Sequence, residues 1–447
     1  MVRPKKALRG NAQYLDLNRD FIKCDSKNAR TFTELFQWLQ PDVFLDNHVS
    51  DGADYPYTMT LLSTQHNKLG GPMAKFLNTQ FEPFLYQDMK RKHEEMIPYV
   101  NVWGWDAKKG WSQFFDSPRY GSGFGTLHHV YSFVAETHML KPYPKRVAAT
   151  YALMQSILDF CKKETQGIKS SRMAQIDDYQ KQNLVAINWK LDDTYSEQIP
   201  FKGYAYEEKK SSISGLPIYF YNNKKTYDTS IAFKNKYKAT IQVSVPDAYI
   251  IPQGWWRIIE LLKLNGVQMD TFAKDTSIAV SYYRIQKNKT SANAFEGHYM
   301  NSVLELETNH DTVYFHEGDV YISLLQKSKR FIIETLEPQA MDSYFTWNFF
   351  DAILGQKEGF TPYAFEEKAN AFLQQSPALK KLLLQEIQKD SLLAKNHYEQ
   401  LQFIYEHSPY FEKGYLRYPI YKIETKNIDD NKSNSKSSAP IYNKKDE

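Results

Sequence analysis

Thr31-Phe32-Thr33-Glu34-Leu35-Phe36-Gln37-Trp38-Leu39-Gln40-Pro41-Asp42-Val43-Phe44-Leu45-Asp46-Asn47-His48 is the stretch whose reading decides the fold. Phe32, Leu35, Phe36 and Leu39 recur at helical spacing, Pro41 stops the helix, and Val43-Phe44-Leu45 is an apolar run of strand length. A helix that feeds directly into a buried strand is the unit of an α/β layer. The two elements recur in the opposite order further on. Tyr131-Ser132-Phe133-Val134-Ala135 reads as a strand, and after Pro142 and Pro144 an amphipathic helix is expected from Arg146 to Lys163.

Residues 1–165 are therefore expected to form an α/β domain, and the polar stretch 166–183 a connector. From 184 to 343 the texture turns β-rich, with runs at 238–245, 277–284 and 319–325 and one helix from Trp255 to Leu264. Residues 344–420 return to a helical period, with Leu379, Leu382, Leu383 and Ile387 on one stripe. Residues 421–447, rich in Lys, Asn, Ser and Asp, are expected to be disordered.

A chain of 447 residues is longer than one hydrophobic core usually serves, and 42% apolar with 15% aromatic residues is the composition of a folding chain. Its 56 basic and 52 acidic residues leave a net charge of +4, which names no nucleic-acid partner. Cys24 and Cys161 are too few for a disulfide framework. No secretory signal follows Met1, and no run approaches the roughly 18 apolar residues of a membrane span. A Gly-x-Ser-x-Gly elbow and a phosphate-cradling Gly-Lys-Ser/Thr loop are both lacking. Gly121-Ser122-Gly123-Phe124-Gly125 is expected to be a flexible loop beside a site.

Three clusters put ionisable side chains directly beyond apolar runs, where α/β folds build their sites. They are Asp16-Leu17-Asn18-Arg19-Asp20, Leu45-Asp46-Asn47-His48-Val49-Ser50-Asp51 and Ala135-Glu136-Thr137-His138. Together with Arg9-Gly10-Asn11-Ala12-Gln13 they resemble the carboxypeptidase A-like family of zinc metallopeptidases, of the larger bacterial type. An Asn-Arg pair, a ligand His after a strand and a catalytic Glu after a later strand come in that order. The match covers about residues 9–158, and Leu336-Glu337-Pro338 with Asp342-Ser343 resembles the C-terminal extension of such members.

The resemblance implies a partial carboxypeptidase-like α/β/α domain that removes C-terminal residues from peptides with zinc as cofactor. Asn18 and Arg19 would bind the terminal carboxylate of the substrate, Arg9 would polarise the scissile carbonyl, and Tyr120 would close over the substrate. Glu136 would be the general base, and His48 a zinc ligand oriented by Asp46 or Asp51. The family also holds zinc through an upstream His-x-x-Glu pair. Only seventeen residues precede Asn18, none of them His, and none of the eleven histidines has Glu three positions on. The chain is thus expected to be an N-terminally truncated member, inactive or impaired. An intact relative would be exported, but this chain shows no address of its own, so its compartment stays open. A metal-free pseudoenzyme that binds peptides or cell-wall fragments through Arg19 is one alternative. A zinc amidase acting on peptidoglycan-type amides is the other.

Overall fold

The computed structural model describes residues 9–424, so the expected disordered tail lies outside the described residues from 425 onward. A four-stranded mixed sheet centres the first third, ordered Val43–Ser50, Tyr131–His138, Met59–Ser63 and Ile97–Pro98. Val43–Ser50 runs parallel to Tyr131–His138, which pairs antiparallel with Met59–Ser63. The two-residue alternation of a strand sorts side chains to opposite faces. Leu45, Phe133 and Ala135 enter a core with Leu85, Leu153 and Phe160 from the helices Glu82–Arg91 and Tyr143–Lys163. On the opposite face, Phe44 packs edge-on against Phe32 and Phe36 of the helix Lys27–Leu39. The first third is thus an α/β/α arrangement.

The expected connector is the helix Thr165–Lys181, whose buried Gln175 accepts from the Met73 amide. Beyond it the chain is β-rich. Leu184–Leu191 pairs with Tyr237–Ser244, and Glu197–Lys210 pairs with the long strand Pro217–Lys234. A six-stranded antiparallel sheet follows, containing Ala248–Ile251, Thr276–Thr290, Asn301–Phe315 and Val320–Ser323. Its fourth strand is Arg417–Ile423, which lies between Ala248–Ile251 and Thr276–Thr290. Tyr421 to Ile423, placed by their polar surroundings with the tail, are therefore ordered, because Tyr418, Ile420 and Tyr421 are buried in this sheet. The main core draws on residues from Ile22 to Ile420.

The helices Pro362–Gln375, Pro377–Lys389 and His397–Glu406 form the helical segment, with a core of its own around Phe365, Leu383 and Tyr405. Cys24 and Cys161 are both free thiols. Among the described residues no helix is long and apolar enough to cross a membrane.

Candidate functional site

His48 and Glu136 stand directly opposite one another near the C-terminal ends of two parallel strands. Strand alternation puts both on the same face as Phe44 and Asp46, away from the core beneath Leu45 and Phe133. Glu136 is the one residue of Tyr131–His138 that is not fully buried. Among the described residues its carboxylate has no hydrogen bond or ion pair. Two ionisable groups nearby in sequence are engaged elsewhere, Arg146 with the Lys141 carbonyl at 3.1 Å and His138 near Asp54 at 3.9 Å.

Burial pushes the Glu136 carboxyl up to about 7; the nearby His48 and Arg9 pull it down, while Asp46 and Asp51 push it further up. His48 Nε2 lies 2.8 Å from Asp46 Oδ2. Burial opposes a charge on this imidazole, but the Asp46 carboxylate outweighs it and, with Glu136, holds the group above its usual range. Of the two expected orienting partners, the structure selects Asp46.

Asp46 is itself positioned by the glycine-rich segment, and here the expectation of a flexible loop is corrected. Gly121–Leu127 is a short helix, and all seven of its residues are buried. The glycines are there for close approach: a Cβ on Gly123 would lie 2.1 Å from the Ser117 carbonyl oxygen, and one on Gly121 3.1 Å from Asp46 Oδ2 and 3.0 Å from Phe21 and Phe44. Gly121→Ala is expected to displace Asp46 from His48. A histidine titration followed by NMR should then show the His48 pKa falling back toward about 6.5.

The Asn18-Arg19 pair is presented by a scaffold of acidic residues. Asp16 caps the 3-10 turn Leu17–Arg19 by accepting the Asn18 amide, and the buried Asp20 accepts the Asp25 and Ser26 amides at 2.9 Å. The Asn18 side chain is half-buried and makes no hydrogen bond to the described residues. Arg19 donates through Nη1 to the Asn18 carbonyl at 2.8 Å and lies 4.5 Å from the Tyr120 ring centroid, so most of its donor fork is unengaged. Arg9 ion-pairs with Asp16 at 2.5 Å, and that bond, more than Asp51 or Glu296, raises its pKa. The structure thus brings His48 and Arg9 within electrostatic reach of Glu136, sets Arg19 over the Tyr120 ring, and places Tyr99 electrostatically close to both Glu136 and Tyr120.

Two contributors had no signal in the local sequence. Arg119 grips the buried Asp342 carboxylate through Nε at 2.9 Å and Nη2 at 2.5 Å, and Asp342 also accepts the Arg119 amide, so the residue beside Tyr120 is anchored to a segment 223 positions away. The loop joining Thr276–Thr290 to Asn301–Phe315 reaches the same region, where Glu296 Oε2 accepts the Asp16 amide at 2.7 Å. His298 of that loop is held between Asp25 and Asn348, each at 2.6 Å.

A catalytic zinc normally takes three protein ligands. His48 supplies one imidazole, already paired with Asp46, and among the described residues no group of three His, Cys, Asp or Glu side chains is placed to hold a metal ion. The residues brought together here therefore do not make a zinc centre by themselves. No protein-family model, no curated protein and no solved structure matches the chain.

Proposed function

We propose that this chain carries a metallocarboxypeptidase-type pocket in its ligand-binding and proton-handling parts, and that it binds the C-terminal end of a peptide-like ligand without needing a metal to do so. The observation that carries the reading is Glu136, a largely buried carboxyl without a pairing partner among the described residues and with its pKa pushed up to about 7. It lies beside His48 and Arg9, and Tyr99 is electrostatically close both to it and to Tyr120, the ring partner of the underused Arg19 guanidinium. A planar Arg19 fork beside the free Asn18 amide suits a carboxylate, which accepts paired N–H donors. Arg9, within electrostatic reach of Glu136, would meet a carbonyl of the ligand, and Tyr120, which stacks against Arg19, would cover the bound end. Glu136, half-protonated near pH 7, can take or return a proton at a polar group of the ligand. Hydrolysis would require donors beyond those gathered here, so binding is the activity assigned to these residues.

Calorimetry with N-acetyl-Gly-Phe across pH 5.5–8.5, with a chelator present throughout, tests this. Above its pKa Glu136 becomes an anion beside the ligand's carboxylate, so affinity is expected to fall roughly tenfold as pH rises through about 7. His48, held above its usual value, loses positive charge as pH rises and acts in the same direction, so Glu136→Gln should reduce the fall to a few-fold rather than abolish it. A pH-independent affinity, or one lost with the chelator, would contradict the reading.

The same substitution reads out in stability. A carboxyl whose folded pKa is raised stabilises fully below its unfolded value near 4.5 and loses that contribution as pH climbs through about 7. Glu136→Gln is therefore expected to be near neutral at pH 5 and stabilising at pH 8, by up to about 3 kcal/mol.

A further inference from the structure

A cavity of about 730 Å³ opens between the α/β region and the long strands Glu197–Lys210 and Pro217–Lys234. None of Arg9, Asn18, Arg19, His48, Tyr120 or Glu136 lines it, although Tyr99 forms part of its wall. That volume lies within the range of small-molecule sites. Its walls are largely apolar, with Leu61, Ile97, Ile199, Phe201 and Phe233 among them.

Into this cavity projects Glu82, the first residue of the helix Glu82–Arg91. Protein closely surrounds the carboxyl, and its one hydrogen bond comes from the Ser63 hydroxyl. It has no ion pair. The other charge it senses is Glu197, which repels it. The lysines of the rim are turned to other partners: Lys202 and Lys90 to Glu95, and Lys236 to the Tyr195 ring at 3.5 Å. Of the other titratable groups in the lining, the Tyr57, Tyr86 and Tyr99 phenols and the His66 imidazole are held neutral by burial, and Asp228 adds a further carboxylate rather than a counter-charge.

The backbone supplies a second, independent sign. Glu82 directly follows a π-helical turn, Leu77–Phe81, a rare conformation that re-aims the side chains after it and concentrates at functional sites. Burying a carboxyl without a counter-charge is costly, and a fold that retains one at the wall of an apolar cavity has left the counter-charge to be supplied from outside.

We propose that this cavity is a ligand site for an amine, a single ammonium group on an apolar body, with Glu82 as the counter-ion and Ser63 holding the carboxyl in place. Burial pushes Glu82 up to about 7, so an ammonium would draw it into its ionised form, as a counter-ion requires.

Phenethylamine and the isosteric neutral 2-phenylethanol, titrated into the full chain at pH 7.5 by calorimetry, test the assignment. The amine is expected to bind at least about tenfold more tightly than the alcohol. Glu82→Gln, which preserves shape, should remove that preference, and Asn78→Trp, at the cavity wall, should exclude both probes. Glu136→Gln should change neither, which separates this site from the peptide-end pocket. Equal affinity for amine and alcohol would overturn the proposal, as would no amine binding up to about 10 mM or a preference lost in Glu136→Gln but kept in Glu82→Gln.

Discussion

Replacing Asp342 with Asn is expected to lower the stability of the protein by about 3 kcal/mol, because it leaves the Arg119 guanidinium facing a neutral amide in a site from which water is largely excluded. The Asp342 side chain is fully buried and that of Arg119 is 20% exposed. Asp342 also occupies the left-handed region, with φ of 63°, where Asn is tolerated, so the substitution tests the charge rather than the backbone. Arg119 has nowhere else to go, since its guanidinium is sandwiched near Trp347 at 5.0 Å and Phe295 at 5.5 Å. Urea unfolding should show a lower midpoint with an unchanged slope. Because Tyr120 follows Arg119, ligand affinity should fall in the same variant. A loss below about 1 kcal/mol would mean that the pair is no more than a surface contact.

Arg19→Ala is expected to weaken a peptide carboxylate by roughly 30- to 100-fold, the value of one or two charge-assisted hydrogen bonds. Its effect on stability should be small, about 1 kcal/mol, since Arg19 gives the fold a bond to the neighbouring Asn18 carbonyl, a ring contact with Tyr120 and a long ion pair with Asp16 at 4.0 Å. Arg19→Lys should restore charge without the planar fork, and so recover only part of the affinity. The split between binding and stability is the diagnostic: an arginine that merely held the Asp16 loop would lose both together.

Local sequence carried four elements of the first third, the helices Lys27–Leu39 and Tyr143–Lys163 and the strands Val43–Ser50 and Tyr131–His138, because their periods leave a mark within a few residues, but not the strands Met59–Ser63 and Ile97–Pro98 or the helix Glu82–Arg91. It was less exact about the faces. The helix begins at Lys27, earlier than its apolar stripe, because the Ser26 hydroxyl caps it by accepting the Ala29 amide. Leu35 and Leu39, counted on the buried stripe, are exposed at 50% and 63%, and the packing is done by Phe32 and Phe36. The glycine segment was misread for a related reason. Gly121 and Gly123 serve close packing against Asp46 and the Ser117 carbonyl, a requirement set by tertiary neighbours rather than by chain freedom.

The site divides along the same line. Asn18, Arg19, His48 and Glu136 stand beside the turns and strands that position them, so their neighbourhood announced them. Glu296 and Asp342 act on residues more than two hundred positions away; Asp342 stood out only as part of a C-terminal resemblance, and nothing in the local sequence tied either residue to this site. Glu82 was equally silent, since its uncompensated burial arises only when the strands of the β-rich region close over it.

The most direct test of the central claim is a calorimetric comparison of N-acetyl-Gly-Phe, with its free carboxylate, against the same dipeptide as its C-terminal amide, at pH 6 in the presence of a chelator. The free acid is predicted to bind at least about tenfold more tightly than the amide, and Arg19→Ala should erase the difference. Equal binding of acid and amide by the unaltered chain, or no binding of either, would contradict a pocket built to hold a peptide's carboxylate end.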